Sequence, residues 1–449
     1  MSDRKQKLTK IIDIFLSEET FCFYIVSCMI LIPLGEFITN LRGVAFVTQP
    51  IIFSIYSVVG VFLIAAKFAL RPDKRHWSDF FFFTSMIFMF LSLIYSKDIA
   101  RAVRVDPNCT NEYPAYFLGY YSMMFAGFQL SSKKLRKIVL YTFIGISVPE
   151  CILGIMQSFG FKLVYQMHGK NVTGNDIGVL TQNSNYFGGL VVLFLGAALG
   201  AALFTKNKYR KIFYYILSAA CVYCSYATTS RSSWLGVGVM LITYMIIFGV
   251  MSRKYKGEKL YKLYLKVLVI GAAAVVVCGI VLIIASPLLM ERVTRSMNEI
   301  KGLMSGDISH FGSNRGYIWT YCLEAIPKNW VIGVGLDNLY YVYTTSKHWM
   351  PAMYYSNRAH NVFLHILTTQ GVFAFANYMA MLIVATVSAV KRIVKNDDEE
   401  DRHLTLTYFA MFVGYLAVAF WICRVFNVEM YFYITLGVMV PRIHKEIKA

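Results

Sequence analysis

Tyr186–Phe204 reads YFGGLVVLFLGAALGAALF, nineteen residues without a charge, and runs straight into Thr205–Lys211, TKNKYRK, where four of seven residues are basic. A helix rises 1.5 Å per residue, so such a run is about 29 Å long, close to the hydrocarbon thickness of a bilayer. An uncharged run of that length reads as a membrane-spanning helix. The basic cluster behind it marks the cytoplasmic end. The same pairing of apolar run and basic cluster recurs along the chain, and it decides the fold class.

The composition agrees. Of 449 residues, 57% are hydrophobic and only 15% charged, with a mean hydropathy of +0.53. Soluble domains run at about 25% charged residues. About twelve apolar runs are long enough to span, centred near Met29, Val59, Ile87, Met123, Ile146, Phe194, Leu217, Met240, Val275, Met379, Gly414 and Thr435. The stretch from His360 to Val390 exceeds one straight span, so it either begins as an interfacial segment before Gly371 or tilts.

The net charge is +19. In a soluble protein this would point to nucleic acid; here it points to sidedness. Basic clusters fall at Arg4–Lys10, Lys67–Arg75, Lys133–Lys137, Lys206–Lys211, Arg253–Lys266, Lys391–Arg402 and Arg442–Lys448, and hold 29 of the 44 Lys and Arg residues. They occupy every second loop, which places both termini in the cytoplasm. No small-residue cleavage site follows the polar N-terminus, so no removable signal peptide is expected. Cys221 and Cys224 have the spacing of a redox or zinc pair, but they lie inside an apolar run and read as two small buried thiols.

The expected architecture is an all-α integral membrane protein of about 12 transmembrane helices, with one large, partly helical outer loop before the last three spans. Residues 1–285 form a nine-helix region, 286–359 the outer loop and 360–449 a three-helix region. Loops of that length without a role are uncommon. Within this one, Gly316–Ala325 has apolar residues at helical spacing, and Ile332–Asp337, IGVGLD, reads as a glycine turn.

Three outer stretches carry candidate chemistry. Thr228–Gly236, TTSRSSWLG, sets Arg231 among hydroxyls, including Ser230, where two spans meet. A guanidinium fork there suits a phosphate at the membrane surface; an interfacial anchor beside Trp234 is the plainer alternative. Ser313–Trp319, SNRGYIW, puts Arg315 at a helix start, although a solvated loop arginine would look the same. Asn357–Leu364, NRAHNVFL, brings Arg358, His360 and Asn361 to the outer end of the tenth span. A histidine there can take a proton from a hydroxyl or simply satisfy a helix end. His168, His310 and His348 are also on the outer side, without site-like surroundings. Glu150 and Gln157 lie in the fifth span, where an acid marks either function or a buried ion pair.

These motifs resemble the O-antigen ligase and polysaccharide polymerase superfamily over most of the chain. TSRSSWLG is similar to its Ser-Arg segment, NRGYIW with the later GVG to its arginine–tryptophan–glycine segment, AHNVFLHILTTQG to its His-Asn segment, and ILGIMQSFG to its glutamine-bearing span. The resemblance implies a glycosyltransferase in the bacterial cytoplasmic membrane, with its active site on the outer face and no cofactor or metal. It would take a glycan from an undecaprenyl-diphosphate-linked donor and pass it to a hydroxyl of a glycan or lipid-linked acceptor. Arg231 and Arg315 match the arginines expected on the pyrophosphate, and His360 the residue expected to activate the acceptor; Ser230, Asn361, Arg358, Glu150 and Gln157 are added as substrate-binding candidates. Polymerisation of repeat units is favoured, with ligation to a lipid, wall or protein acceptor as the alternative. A multi-span flippase would instead show two similar halves and midplane charges. A metal-dependent oligosaccharyltransferase would need outer carboxylates, for which only Asp106 and Glu112 offer themselves. Neither a nucleotide sugar nor a nucleic acid is expected as a partner.

Overall fold

The computed structural model describes residues 2–42, 48–71, 76–104, 112–161, 177–254, 259–285, 287–306, 311–345 and 356–442. Every regular element among them is helical. In chain order these are α1 (Ser2–Phe15), α2 (Glu18–Asn40), α3 (Thr48–Leu70), α4 (Trp77–Ile94), α5 (Ile99–Val103), α6 (Pro114–Phe128), α7 (Lys133–Ser158), α8 (Ser184–Phe204) and α9 (Lys208–Ala227). They are followed by α10 (Arg231–Lys254), α11 (Lys259–Ala285), α12 (Pro287–Met304), α13 (Phe311–Ala325), α14 (Tyr341–Thr345), α15 (Val362–Lys395), α16 (Glu399–Ala419) and α17 (Phe426–Met439). Caps follow from the sequence: Ser17, Asn183, Asn207 and Asp398 each accept a backbone N–H in the first turn of the helix they precede.

All twelve predicted span centres fall inside helices. Seven helical stretches, Gln6–Asn40, Thr48–Leu70, Trp77–Ile94, Lys133–Ser158, Ser184–Phe204, Arg231–Lys254 and Val362–Lys395, are long and apolar enough to cross a membrane. Two of the remaining five are short: α6 has 15 residues and α17 has 14, against the roughly 20 that a span needs. These two short helices form the centre of the molecule. Every residue of α17 is buried. Their backbones touch: a Cβ on Gly437 would stand 2.3 Å from the Met124 carbonyl oxygen, and one on Gly127 would stand 2.8 Å from the Val438 nitrogen. Small residues at a helix crossing permit that approach. Both helices begin at the same end of the bundle, just after Glu112 and Arg424. Buried polar residues gather there, among them Glu112, His365 and Arg424.

The region between α11 and α15 is more helical than its sequence announces. The Gly316–Ala325 helix and the glycine turn are present, with Gly333 and Gly335 at φ +77° and +102°. The unannounced element is α12, a two-sided helix with Met290, Met297, Ile300, Leu303 and Met304 exposed. The long tenth stretch is broken rather than tilted as one rod: Gly371 has φ +83° and ψ 177°. Carbonyls freed at the break are used by the loop, since Val334 N–H donates to Thr368 O at 3.0 Å and Gly335 N–H to Thr369 O at 2.9 Å. Val372 N–H in turn donates to Trp330 O at 2.7 Å. The contact is so close that a Cβ on Gly371 would meet Val331 O at 2.2 Å.

At the opposite end, the basic clusters are drawn together by the acids of Asp398–Asp401. Buried Asp401 receives Arg392 Nε at 2.7 Å and Nη2 at 2.8 Å, and pairs with Arg136. Arg136 is fully buried, and its other donors reach Val438 O at 3.0 Å and Thr405 Oγ1 at 3.1 Å.

Candidate active site

Each of the three candidate motifs begins a helix, and each is set by unusual backbone. Arg231 is the first residue of α10, two positions after Thr229 at φ +53°. Arg315 starts the regular part of α13, directly after Gly312, Ser313 and Asn314, all left-handed. His360 is itself left-handed, at φ +50°, and is followed by Asn361, whose Oδ1 caps α15 by accepting Leu364 N–H at 3.0 Å. Among the described residues seven non-glycine positions have positive φ, and five of them are Thr229, Ser313, Asn314, Asp337 and His360. Such residues cost about 1–3 kcal/mol each, and they persist where surrounding structure over-determines them. Three helix N-termini beginning here also add partial positive charge to the guanidiniums.

The structure brings Arg231 and Arg315 into one cavity of about 160 Å³, lined also by Ser232, Leu235, Glu299, Phe311, Gly312 and Trp421. Arg231 is one-third exposed and donates to Ser296 Oγ at 2.7 Å and to Ser313 Oγ at 2.8 Å. Burial, with Arg231 among its charged neighbours, lowers the pKa of Arg315. Trp421 forms an aromatic wall with Trp319 and Phe311, at centroid separations of 5.5 and 5.8 Å. Trp319 Nε1 also donates to Ala359 O at 2.8 Å, tying α13 to the chain just before His360.

His360 Nδ1 lies 3.3 Å from Cys423 Sγ. Burial, then the positive fields of Arg315 and Arg358, depress its pKa to about 3. The ring is therefore neutral near pH 7, with Nδ1 turned to the Cys423 thiol. A neutral base beside fixed cations is the arrangement that accepts a proton only when negative charge develops next to it.

Behind the histidine is a charged cluster that sequence reasoning missed. Glu112, considered only as a metal ligand, is buried between an arginine, a histidine and a backbone donor. Its Oε1 accepts from Arg424 Nη2 at 2.6 Å and lies 2.9 Å from His365 Nε2, while its Oε2 accepts Asp337 N–H at 2.9 Å. Burial alone would raise its pKa, but His365, Arg424 and Arg358 together hold it well below the usual carboxylate range. With both oxygens engaged by donors, Glu112 is not arranged as a cation ligand; Asp106 lies outside the described residues. Arg358 points inward as well, paired with buried Asp337. It supports the loop that carries His360 while adding its field to the ring. Asn338 fastens the same loop across the bundle, accepting Asp98 N–H at 2.9 Å and donating to Ser96 Oγ at 2.6 Å.

Of the sequence candidates only Arg231 and Arg315 line that cavity; His360, Arg358, Asn361, Ser230, Gln157 and Glu150 lie outside its lining. Ser230 Oγ donates to Asn185 Oδ1 at 2.9 Å, and Gln157 Oε1 accepts Val179 N–H at 3.1 Å. Glu150 is buried in α7, with no hydrogen-bond partner for its Oε2. No cation pairs with it among the described residues. His168, His310 and His348 fall outside those residues. Cys221 and Cys224 are buried against Cys151, as their apolar setting implies.

Residues 214–379, which contain Arg231, Arg315 and His360, match the family model Wzy_C, O-antigen ligase. No curated protein matches the chain. The match covers 166 of the 449 residues and supports a likeness to the O-antigen ligase and polymerase superfamily over that segment.

Proposed function

From a chain that carries the O-antigen ligase signature across all three candidate residues, we propose an enzyme that transfers a glycan from a polyprenyl-diphosphate donor to an acceptor hydroxyl. It works at the outer face of a twelve-span bundle whose two termini are cytoplasmic. The observation carrying this reading is the cavity shared by Arg231 and Arg315, with the Arg315 charge felt at the neutral His360 ring outside its lining. The acceptor oxygen attacks the anomeric carbon as the bond from that carbon to the phosphate oxygen breaks. The bonding pair leaves on the diphosphate, and the hydroxyl proton goes to His360, which returns it to solvent or to the departing diphosphate. Arg231 and Arg315 stabilise the charge arriving on the leaving group, and the common cavity supplies proximity. Two guanidiniums supply here the positive charge that a divalent cation provides in metal-dependent glycan transfer. Polymerisation of repeat units is the favoured reaction, because nothing in the site points to a protein or wall acceptor.

The test is single alanine replacement of Arg231, Arg315 and His360, with glycan chain length read in cells. Normal glycan from all three variants ends the proposal. Purified protein should also turn over a polyprenyl-diphosphate oligosaccharide in excess chelator; complete loss there transfers the protein to the metal-dependent class.

A further inference from the structure

The cavity shared by the two arginines already holds an anion, and that anion belongs to the chain itself. Glu299, on α12, lines it. Arg231 Nη1 donates to Glu299 Oε2 at 2.9 Å and Nη2 to Oε1 at 3.3 Å, a two-pronged guanidinium–carboxylate pair. The Gly312 backbone N–H adds a third donor to Oε2 at 3.1 Å. Glu299 is 8% exposed. A guanidinium fork plus a loop N–H beside a helix N-terminus is equally the donor set that receives two oxygens of a phosphate.

The helix carrying Glu299 is built to lie between two media. One side presents Ser296 and Glu299 to Arg231. Met290, Met297, Ile300 and Met304 recur at spacings of three, four and seven along another side and are exposed. The helix follows α11 after a single intervening residue, so this stripe is placed to meet the lipid surface from which a polyprenyl-linked donor approaches.

We infer that Glu299 occupies the seat of one donor phosphate, so that α12 is a gate the diphosphate must displace. The inference rests on the proposed function above. One carboxylate and one phosphate cannot share the Arg231 fork. The diphosphate carries more charge and also engages Arg315, so it wins the exchange; without a donor, the carboxylate keeps the guanidinium oriented and neutralised. Removing the carboxylate charge therefore opens the seat.

The experiment uses full-length protein in nanodiscs, with farnesyl diphosphate as the probe. Its binding is titrated to the wild type, Glu299→Gln and Arg231→Gln. The expected result is binding about tenfold tighter for Glu299→Gln and about tenfold weaker for Arg231→Gln. If Arg231→Gln is weaker but Glu299→Gln is unchanged or weaker, the gate is overturned and the diphosphate site stands. If Arg231→Gln binds as the wild type does, the functional reading itself fails. A second measurement leaves Glu299 in place: spin labels at Met297 on α12 and Ile242 on α10 should move apart when farnesyl diphosphate is added. A constant distance with bound probe also overturns the gate.

Discussion

The two ends of the bundle both bury arginines against acids, yet they are organised for different ends. At the basic end, Arg136, Arg392 and Asp401 satisfy one another, Arg136 has no exposure, and the local backbone is ordinary helix. At the other end, Arg231 is one-third exposed and shares a cavity with Arg315, and the candidate motifs start on left-handed Thr229, Ser313, Asn314 and His360. Buried charge alone does not mark a site. What distinguishes the end that carries Arg231 is a pair of arginines with a cavity beside them, held by backbone that costs free energy to maintain.

The comparison is tested most severely by function. Alanine at Arg231, Arg315 or His360 should lower transfer by about 10²–10³-fold, the scale of a lost preorganised electrostatic contact, while folded protein measured by size-exclusion recovery stays near wild type. Asp401→Asn should do the reverse. Breaking a buried pair costs about 3–5 kcal/mol, so folded yield falls while surviving protein keeps its specific activity. Glu112→Gln lies between these cases: it leaves Arg424 and His365 without their acid and should lower both yield and rate. Gly371→Ala combines a left-handed φ with a collision at Val331 O, and should destabilise by about 2 kcal/mol in thermal unfolding. The smallest effect belongs to Lys133→Ala, which removes exposed pairs with Asp398 and Glu400 worth under about 1 kcal/mol.

The histidine adds a test in pH. Its folded pKa is near 3, so the rate should show no histidine limb from pH 5 to 8. The sign for stability follows from linkage. The unfolded ring gains a proton below about 6.5 while the folded ring does not, so this group lowers stability as pH falls from 6.5 toward 3 and has no effect above. A rate limb near pH 6.5 in wild type that disappears on replacing His360 would show an unshifted ring.

The helices were legible because long apolar runs leave little choice of structure, although seven stretches among the described residues, not twelve, are long and apolar enough to span; even the break in the tenth stretch announced itself as excess length around Gly371. Arg231, Arg315 and His360 were legible as polar motifs at helix starts. Glu112, His365 and Arg424 were not, because each is a single polar residue far from the others in sequence, and only the fold, which starts α6 and α17 side by side, brings them together. Glu299 left a trace that could have been read: Met290, Val293, Met297, Ile300 and Met304 have the spacing of an amphipathic helix, and Glu299 lies off that stripe.

The break at Gly371 has a further consequence, for life in membranes of unequal thickness. A span answers a thicker or thinner bilayer by changing its tilt, and a rigid α15 would swing His360 with it. Here the helix is interrupted at Gly371, and the short part that follows His360 is pinned to the loop through Thr368 and Thr369. The candidate base thereby sits on the part that the loop holds, apart from the longer rod that meets the lipid.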